Sequence, residues 1–412
     1  MAPGLCRKST SSFSLPDKMD KPTIVPELYW NLPGPCDFVT RIEETAASSR
    51  LLWINLPIDT LPGTWEGVQR GLRHGHIERI VTLKISGGTD IAADVGVHFG
   101  RKHVTAAELI LLQADRRSAV ILMPDGPSGV ENIERYGSTF LRSIGTGDGN
   151  VHIVLGVHEE SLPRDEREGG VQVITFDGGL SADEMDAYVS LRMLSRPGPG
   201  TTRLSRAIVA EFAGFDVELA ERIMQMSEPQ IVNIIAHLQQ LMNDTPSRWR
   251  NRSWLMRTCS NAAPEATHVL NDAYMAEHGR PEARDDALNR IRRRYWRACV
   301  KTLTPWLEER RLSVIRRFSS QLQREAALNN GKIARPIDQT RVMLMDPDEL
   351  EYNNIVGMCK LGKLVATTTD EICAEQVCRL AKPVRDDIAH LRMPKPGDVG
   401  QLIREMDRLL SS

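Results

Sequence analysis

Five short apolar runs in the first half of the chain constrain the fold more than any other feature of the sequence. They are flanked by glycine, proline or aspartate and span 51–56, 80–85, 119–123, 151–155 and 171–176. Such runs are typical of parallel strands that are buried on both faces. Segments with helical periodicity lie between them, at 65–73, 89–99, 106–113 and 129–144. Alternating strands and helices predict an α/β domain with a parallel sheet.

The second half of the chain has a different pattern. An Arg-Pro-Gly-Pro-Gly sequence at 196–200 interrupts regular structure. Beyond it, apolar residues recur at three- and four-residue spacing in 204–212, 217–226, 229–241, 284–303, 307–328, 346–359, 370–380 and 399–410. No strand pattern or solenoid repeat competes with these segments, so an all-α helical bundle is predicted.

These patterns divide the chain into four parts. Residues 1–25 are polar and are expected to be a disordered leader. Residues 26–195 form the predicted α/β domain, 196–245 a lid-like helical segment, and 246–412 the helical bundle. A chain of 412 residues is long enough for each domain to bury its own core.

Cysteine usage and hydropathy indicate where the protein works. The seven cysteines are scattered and form no C-x-x-C pair or zinc-type quartet; they are Cys6, Cys36, Cys259, Cys299, Cys359, Cys373 and Cys378. We therefore expect a reducing compartment, the cytoplasm, and no structural zinc. The apolar runs have strand length and no secretory signal is recognisable, so we expect no membrane association.

The charge is nearly balanced overall but unevenly distributed. The formal net charge is −2, yet arginines crowd between Arg248 and Arg324, interleaved with Tyr295, Trp296 and Trp306. One interpretation is a set of solvated helix faces whose arginines pair with glutamates, with codon bias favouring arginine. The other is a surface that binds phosphates and stacks bases. The sequence leaves both open.

The α/β half followed by a helical segment resembles AAA-type and related P-loop NTPases in architecture. The loop after the first apolar run, at 57–63, lacks the G-x-x-x-x-G-K-[ST] sequence that cradles phosphates. Asp125 follows the third run as a Walker B carboxylate does, but a turn residue is the favoured interpretation. Glycine-rich segments at 86–90 and 96–102 are weak substitutes for a phosphate loop. The resemblance therefore implies a degenerate, non-hydrolysing domain without a bound cofactor.

A short motif near the C-terminus carries the candidate chemistry. Arg385 and Asp386 are followed, after three residues, by His390. This pattern, preceded by an acidic segment at 346–354, resembles the ribonuclease members of the HEPN superfamily, the higher eukaryotes and prokaryotes nucleotide-binding domains. The resemblance covers about the last 130 residues and implies metal-independent cleavage of RNA at a composite site in a homodimer formed by the C-terminal domain. His390 would be the general acid–base and Arg385 would stabilise charge on the phosphate.

The local sequence gives these residues an expected geometry. Pro383 suits the first position of a helix, which would place Asp386 and Asp387 in the first turn, where the helix dipole favours carboxylates. Asp386 would then orient the imidazole of His390 one turn later. Arg385 lies about 140° around an ideal helix from His390, so convergence on one phosphate requires a long reach or a second subunit.

The favoured hypothesis is a defence or toxin ribonuclease regulated by its α/β half, with a possible regulatory protein partner. The first alternative is a non-catalytic regulator or scaffold in which both halves have lost their chemistry. The second is a nucleotide hydrolase with an unorthodox phosphate loop at 86–90.

Overall fold

The structure is a computed structural model that describes most of the chain. The described residues are 24–56, 63–143, 149–157, 167–168, 171–176, 178–194, 203–244, 267–336 and 342–411. Nearly all of the predicted leader, the loop segment 57–62, the interruption at 196–200, and Cys6 and Cys259 lie outside them.

All five apolar runs form strands, and these strands make one parallel sheet. The strands are β1 (Leu51–Asn55), β2 (Arg79–Ile85), β3 (Ser118–Pro124), β4 (Val151–Val157) and β6 (Val171–Thr175). Their order is β2-β3-β4-β1-β6, and the short strand β5 (Arg167–Glu168) pairs antiparallel with β6 at the edge. Strand β1 is central: Ile54 lies opposite Gly156 of β4 on one side and Ile174 of β6 on the other. The predicted parallel α/β sheet is confirmed.

Helices cover both faces of this sheet. The helices of this half are α1 (Pro26–Tyr29), α2 (Pro33–Ser48), α3 (Thr64–His74), α4 (Ile91–His98), α5 (Ala106–Leu111), α6 (Pro127–Ser143) and α7 (Ala182–Leu194). Successive strand residues point to opposite faces, so Leu52 packs in the core with α2, α3 and α7, whereas Leu51 packs in the core with α4, α5 and α6. This double coverage explains why the strands are continuously apolar.

The second half is largely helical. Its helices are α8 (Arg203–Ala213), α9 (Val217–Met224), α10 (Glu228–Val232), α11 (Leu238–Asp244), α12 (Val269–His278), α13 (Pro281–Ile315), α14 (Ser319–Ala327), α15 (Tyr352–Lys360), α16 (Thr369–Ala389) and α17 (Pro396–Ser411). Short 3₁₀ turns span Ile234–His237, Arg316–Phe318 and Pro347–Glu349. One cluster of buried residues runs from the α2 face of the sheet into these helices, so the two halves share a core.

Helix α13 is longer than predicted. The sequence patterns 284–303 and 307–328 suggested two helices, but α13 continues for 35 residues with Pro305 inside it. An internal proline removes one hydrogen bond and costs about 3 kcal/mol. Leu303 and Leu307 flank it and are 2% and 1% exposed, so burial on both sides offsets that cost.

The predicted helical character of this half is confirmed, but it also contains one short strand pair that no sequence pattern indicated. Strands β7 (Ile333–Pro336) and β8 (Val342–Met345) form an antiparallel pair. The predicted helix 346–359 is also divided, because Asp346 and Glu349 form one capping box and Glu351 and Asn354 form a second. Each capping box begins a new helical segment.

Buried charges connect α8, α12 and α13. Asp272 is fully buried and accepts hydrogen bonds from Arg290 Nε at 2.8 Å and from Thr267 Oγ1 at 2.8 Å. Arg294, also buried, donates to the backbone oxygen of Glu211 at 2.8 Å. Removing one partner of such a pair would leave an uncompensated buried charge, so α13 is firmly held against its neighbours.

Candidate functional site

The motif Arg385–Asp386–His390 lies at the end of α16, whose start is strongly capped. Thr368 Oγ1 accepts from the backbone N–H of Glu371 at 3.2 Å, and Glu371 Oε2 accepts from the N–H groups of Thr367 and Thr368 at 3.0 Å. Gln321 Nε2 donates to the other oxygen of Glu371 at 2.7 Å. These hydrogen bonds, that from Thr367 first, lower the pKa of Glu371 to about 2. The helix that carries the motif therefore has a fixed beginning.

The predicted position of the motif within its helix is wrong. Pro383 is interior to α16 and does not start it, so Asp386 and Asp387 lie in the last turn and His390 is the C-cap. The apolar register continues through the proline, with Ala381, Val384 and Ile388 all buried, which explains why the helix does not end there. The two carboxylates lie at the negative end of the helix dipole, so each depends on a cationic neighbour.

Those neighbours are basic side chains close in sequence. Lys382 Nζ lies 2.9 Å from Asp386 Oδ2, and Arg392 Nε lies 3.0 Å from Asp387 Oδ1. The expected hydrogen bond from the His390 imidazole to the Asp386 carboxylate is not formed in the described structure. Between these two residues, only the His390 backbone N–H donates, to the Asp386 backbone oxygen at 3.1 Å.

Arg385 faces α15. Its Nη1 donates to Glu351 Oε2 at 3.2 Å, and its guanidinium carbon lies 5.9 Å from the centroid of the Tyr352 ring. Tyr352 is buried, and its hydroxyl donates to the backbone oxygen of Leu307 at 2.7 Å, which fixes the ring. Sequence reasoning missed Glu351 as the partner of Arg385.

His390 is exposed at the other side of the helix end, and within the described part of the chain its ring makes no hydrogen bond. The chain turns sharply after it: Leu391 has a φ of 57° and a side chain that is 76% exposed. Single-residue visits to this left-handed region are uncommon outside glycine. The turn directs residues 391–393 across the surface of α13.

A groove of about 760 Å³ lies between that turn and α13. Four arginines line it: Arg292, Arg293, Arg297 and Arg392. The remaining lining residues are Asn289, Trp296, Leu391 and Met393. Among the described residues no carboxylate lines it, and we call it the arginine groove.

The cations of the groove differ in how far they are neutralised. Arg297 Nε lies 2.8 Å from Glu211 Oε2, and Arg392 is paired with Asp387. Arg292 is exposed and forms no ion pair with any described residue. A surface with an excess of guanidinium charge attracts phosphate groups, whose geometry suits bidentate pairing.

The aromatic residues near the groove have separate roles. Trp296 is half-buried, and its indole N–H donates to the backbone oxygen of Ile388 at 3.1 Å, which ties α13 to the last turn of α16. Tyr295 is fully buried and belongs to the core. Trp306 lies elsewhere on α13, with the Arg310 guanidinium 4.8 Å from its ring centroid. Of the three, only Trp296 is placed to contact a ligand in the arginine groove.

In the α/β half, the glycine-rich segments form ordinary turns. Thr89 Oγ1 accepts from Ser86 N–H at 2.9 Å, while Asn132 Nδ2 donates to the backbone oxygens of Ser86 and Thr89. Asp125 is exposed, and its backbone N–H donates to Ile85 at 2.7 Å, as expected of a turn residue. A Cβ on Gly96 would lie 2.8 Å from the backbone nitrogen of His103, so close packing explains this glycine.

The described residues lack two further kinds of feature, and comparison with known proteins gives no match. Over the described ranges, no group of three or more His, Cys, Asp or Glu side chains has metal-binding geometry. Among the helices of the same ranges, none has the length and apolar character needed to cross a membrane. No protein-family model and no curated protein matches the chain.

Proposed function

We propose that this chain is a metal-independent endoribonuclease of the HEPN type, with the arginine groove as the binding surface for RNA phosphates. The observation that carries the proposal is the position of His390. Its exposed imidazole stands at the end of α16, and the next three residues line the arginine groove. A titratable group beside a cationic groove is the minimum arrangement for cleaving a bound polyanion.

The proposed chemistry uses groups on the RNA and on the protein. The ribose 2′-OH attacks the adjacent phosphorus, and the bond from phosphorus to the 5′-oxygen of the next nucleotide breaks. A proton leaves the 2′-OH and a proton reaches the departing 5′-oxygen. The His390 imidazole acts in this transfer as the general acid–base. The products are a 2′,3′-cyclic phosphate and a free 5′-hydroxyl. Arginine guanidinium groups stabilise the charge that develops on the phosphate oxygens.

Arg385 can stabilise charge on a phosphate next to His390 only if the two residues come from different subunits. Within one chain it faces Glu351 and Tyr352, whereas His390 directly precedes the residues 391–393 that line the arginine groove. A homodimer through the helical half would bring Arg385 of one subunit to His390 of the other, as in the HEPN resemblance. In this proposal the α/β half is a regulatory domain. The ribonuclease acts in defence or as a toxin, and a regulatory protein partner controls it.

An RNA cleavage assay in EDTA tests the proposal. Purified full-length protein is expected to yield 2′,3′-cyclic phosphate ends, and His390→Ala should lower the cleavage rate by about 100-fold or more, the typical contribution of a general acid–base. His278→Ala is the matched control, because His278 is a half-exposed histidine on another helix, paired with Glu277 at 3.4 Å. Equal cleavage by both variants would reject the proposal.

One observation favours a second candidate, a non-catalytic RNA-binding regulator. Two of the three motif side chains already have partners, Arg385 with Glu351 and Asp386 with Lys382. Ion pairs of this exposed kind are weak, but they satisfy both groups without a substrate. RNA binding at the arginine groove with no cleavage by the wild-type protein would favour this candidate.

A further inference from the structure

A second cavity system lies along one face of α17 and shares no lining residue with the arginine groove. It consists of two adjoining cavities of about 420 and 340 Å³. One lies between α17 and α10, and the other between α17, the start of α8 and α13. Ile403 and Asp407 line both, so we treat the two as one α17 cleft. Its size lies within the range of small-molecule sites, roughly 300–1,000 Å³.

Glycines on α17 keep the cleft open. A Cβ on Gly397 would meet nothing within 4 Å, and a Cβ on Gly400 would lie 3.8 Å from Val232 Cγ1, an ordinary contact. Glycine within a helix is less favourable than alanine. Gly400 therefore weakens α17 and leaves a volume that a side chain could fill.

The cleft combines apolar walls with an unpaired carboxylate. Val232 contributes apolar surface to the part of the cleft next to α10, and Ile403 contributes to both parts. Asp407 stands where the two cavities meet, and its carboxylate forms no hydrogen bond and no ion pair with any described residue. Asp407 is exposed at the cleft, yet desolvation by its surroundings raises its pKa, with Arg310 acting against the rise and Glu228 adding to it. Glu228 accepts a hydrogen bond from Ser205 Oγ at 2.9 Å.

The nearby arginines form no ion pair with Asp407, although Arg310 is close enough to act on its pKa. Arg310 is held over the Trp306 ring and contacts Glu309 Oε2 at 3.4 Å. Arg404 is exposed at the rim, with Nη1 3.5 Å from the Cβ position of Gly400. Neither guanidinium lies within 4 Å of the Asp407 carboxylate. The part of the cleft next to α10 therefore presents two carboxylates, those of Glu228 and Asp407, to one cation at its rim.

We propose that the α17 cleft binds a small aliphatic amine, with its ammonium group on Asp407 and its carbon chain along Val232 and Ile403. An ammonium provides the missing counter-charge and a hydrogen-bond donor for the carboxylate. A carboxylate ligand would face Asp407 and Glu228 directly and be repelled. An uncharged apolar ligand would cover Asp407 without pairing it, which is unfavourable. This site does not depend on the ribonuclease proposal.

Calorimetric titration of the full-length protein with n-hexylamine at pH 7.5 tests the site. We expect saturable binding of one amine per chain, with hexan-1-ol and hexanoate at least about tenfold weaker because neither carries the positive charge. Asp407→Asn should weaken hexylamine binding by about tenfold or more. Glu405→Gln is the matched control, since Glu405 is on the same helix, contacts Arg408 at 3.7 Å and lies outside the cleft.

A second variant tests the location independently of charge. Gly400→Leu should fill part of the cleft and weaken hexylamine binding while leaving Asp407 in place. The absence of saturable binding to the wild-type protein would overturn the proposal. Equal affinities for hexylamine and hexan-1-ol would also overturn it, as would unchanged affinity in a folded Asp407→Asn or Gly400→Leu variant.

Discussion

The α/β half and the helical half use their polar side chains differently. At the carboxyl ends of β2 and β3, Ser86, Thr89 and Asn132 bond one another and the local backbone. In the helical half, Arg292, His390 and Asp407 are side chains without a partner among the described residues. Each of these three borders a groove or cleft, or stands next to one. At these strand ends the α/β half bonds Ser86, Thr89 and Asn132 to its own turns, whereas in the helical half three polar side chains at or next to the groove or cleft have no partner among the described residues.

The largest expected effect concerns a buried histidine that holds the amino ends of the α/β strands. His152 Nε2 accepts from Arg117 Nε at 3.1 Å, and Nδ1 lies 3.1 Å from the Ser49 backbone oxygen. Burial, with a smaller contribution from Arg117, lowers its pKa from 6.5 to about 4. Because the folded protein resists protonation here, stability is fully present above pH 6.5 and falls as the pH drops towards 4. The loss approaches about 3 kcal/mol.

Urea unfolding at a series of pH values measures this effect. His152→Gln, whose amide oxygen can still accept from Arg117, should remove the part of the pH dependence that lies between about 6.5 and 4. The same pH dependence in the variant and the wild-type protein would show that His152 is not the group responsible. That result would argue against the description of buried polar groups in the α/β half as held by hydrogen bonds within that half.

A pair of glycine substitutions compares packing in the two halves. A Cβ on Gly129 of α6 would lie 2.1 Å from the backbone oxygen of Ile85, so Gly129→Ala should destabilise by about 2 kcal/mol. Gly400→Ala in α17 has room for its methyl group and should stabilise by about 0.5–1 kcal/mol through helix propensity. Chemical denaturation of both variants measures the change in unfolding free energy, which should be a decrease for Gly129→Ala and an increase for Gly400→Ala. Destabilisation by both would mean that the α17 cleft is not open.

A comparably small effect tests the cap of the motif helix. Glu371→Ala removes the acceptor of the Thr367 and Thr368 N–H groups and should cost about 1 kcal/mol of unfolding free energy. Glu375→Ala is the control: Glu375 is also on α16 and pairs with the half-exposed Arg379, so its loss should cost less. Equal costs in thermal unfolding would show that capping does not set the beginning of α16.

The sheet could be predicted because its signal is local. Each strand is a continuous apolar run, and burial on both faces requires that composition. The continuity of α13 and α16 through their prolines could not be predicted, because it depends on packing rather than on local sequence. Pro305 and Pro383 carry a strong local signal against helix interiors, yet buried residues on both sides, such as Leu307 and Ile388, keep α13 and α16 continuous.

The candidate site was only partly predictable. Arg385, Asp386 and His390 could be named from their spacing, whereas the contact of Arg385 with Glu351 required the fold. The arginine groove joins α13 to residues about 100 positions later in the chain, as the hydrogen bond from Trp296 to Ile388 shows. Arginine and tryptophan at helical spacing signalled a possible surface, but no local pattern indicates which distant segment forms its second wall.

The most direct test of the central claim separates binding from cleavage at the arginine groove. Kd for a fluorescent single-stranded RNA and kcat are measured for Arg292→Glu, for His390→Ala and for Arg284→Glu, a control at an exposed arginine on the same helix α13. We expect Arg292→Glu to raise Kd by about tenfold, and His390→Ala to lower kcat by about 100-fold with little change in Kd. The same Kd for the Arg292 and Arg284 variants, or an unchanged kcat for His390→Ala, would contradict the account.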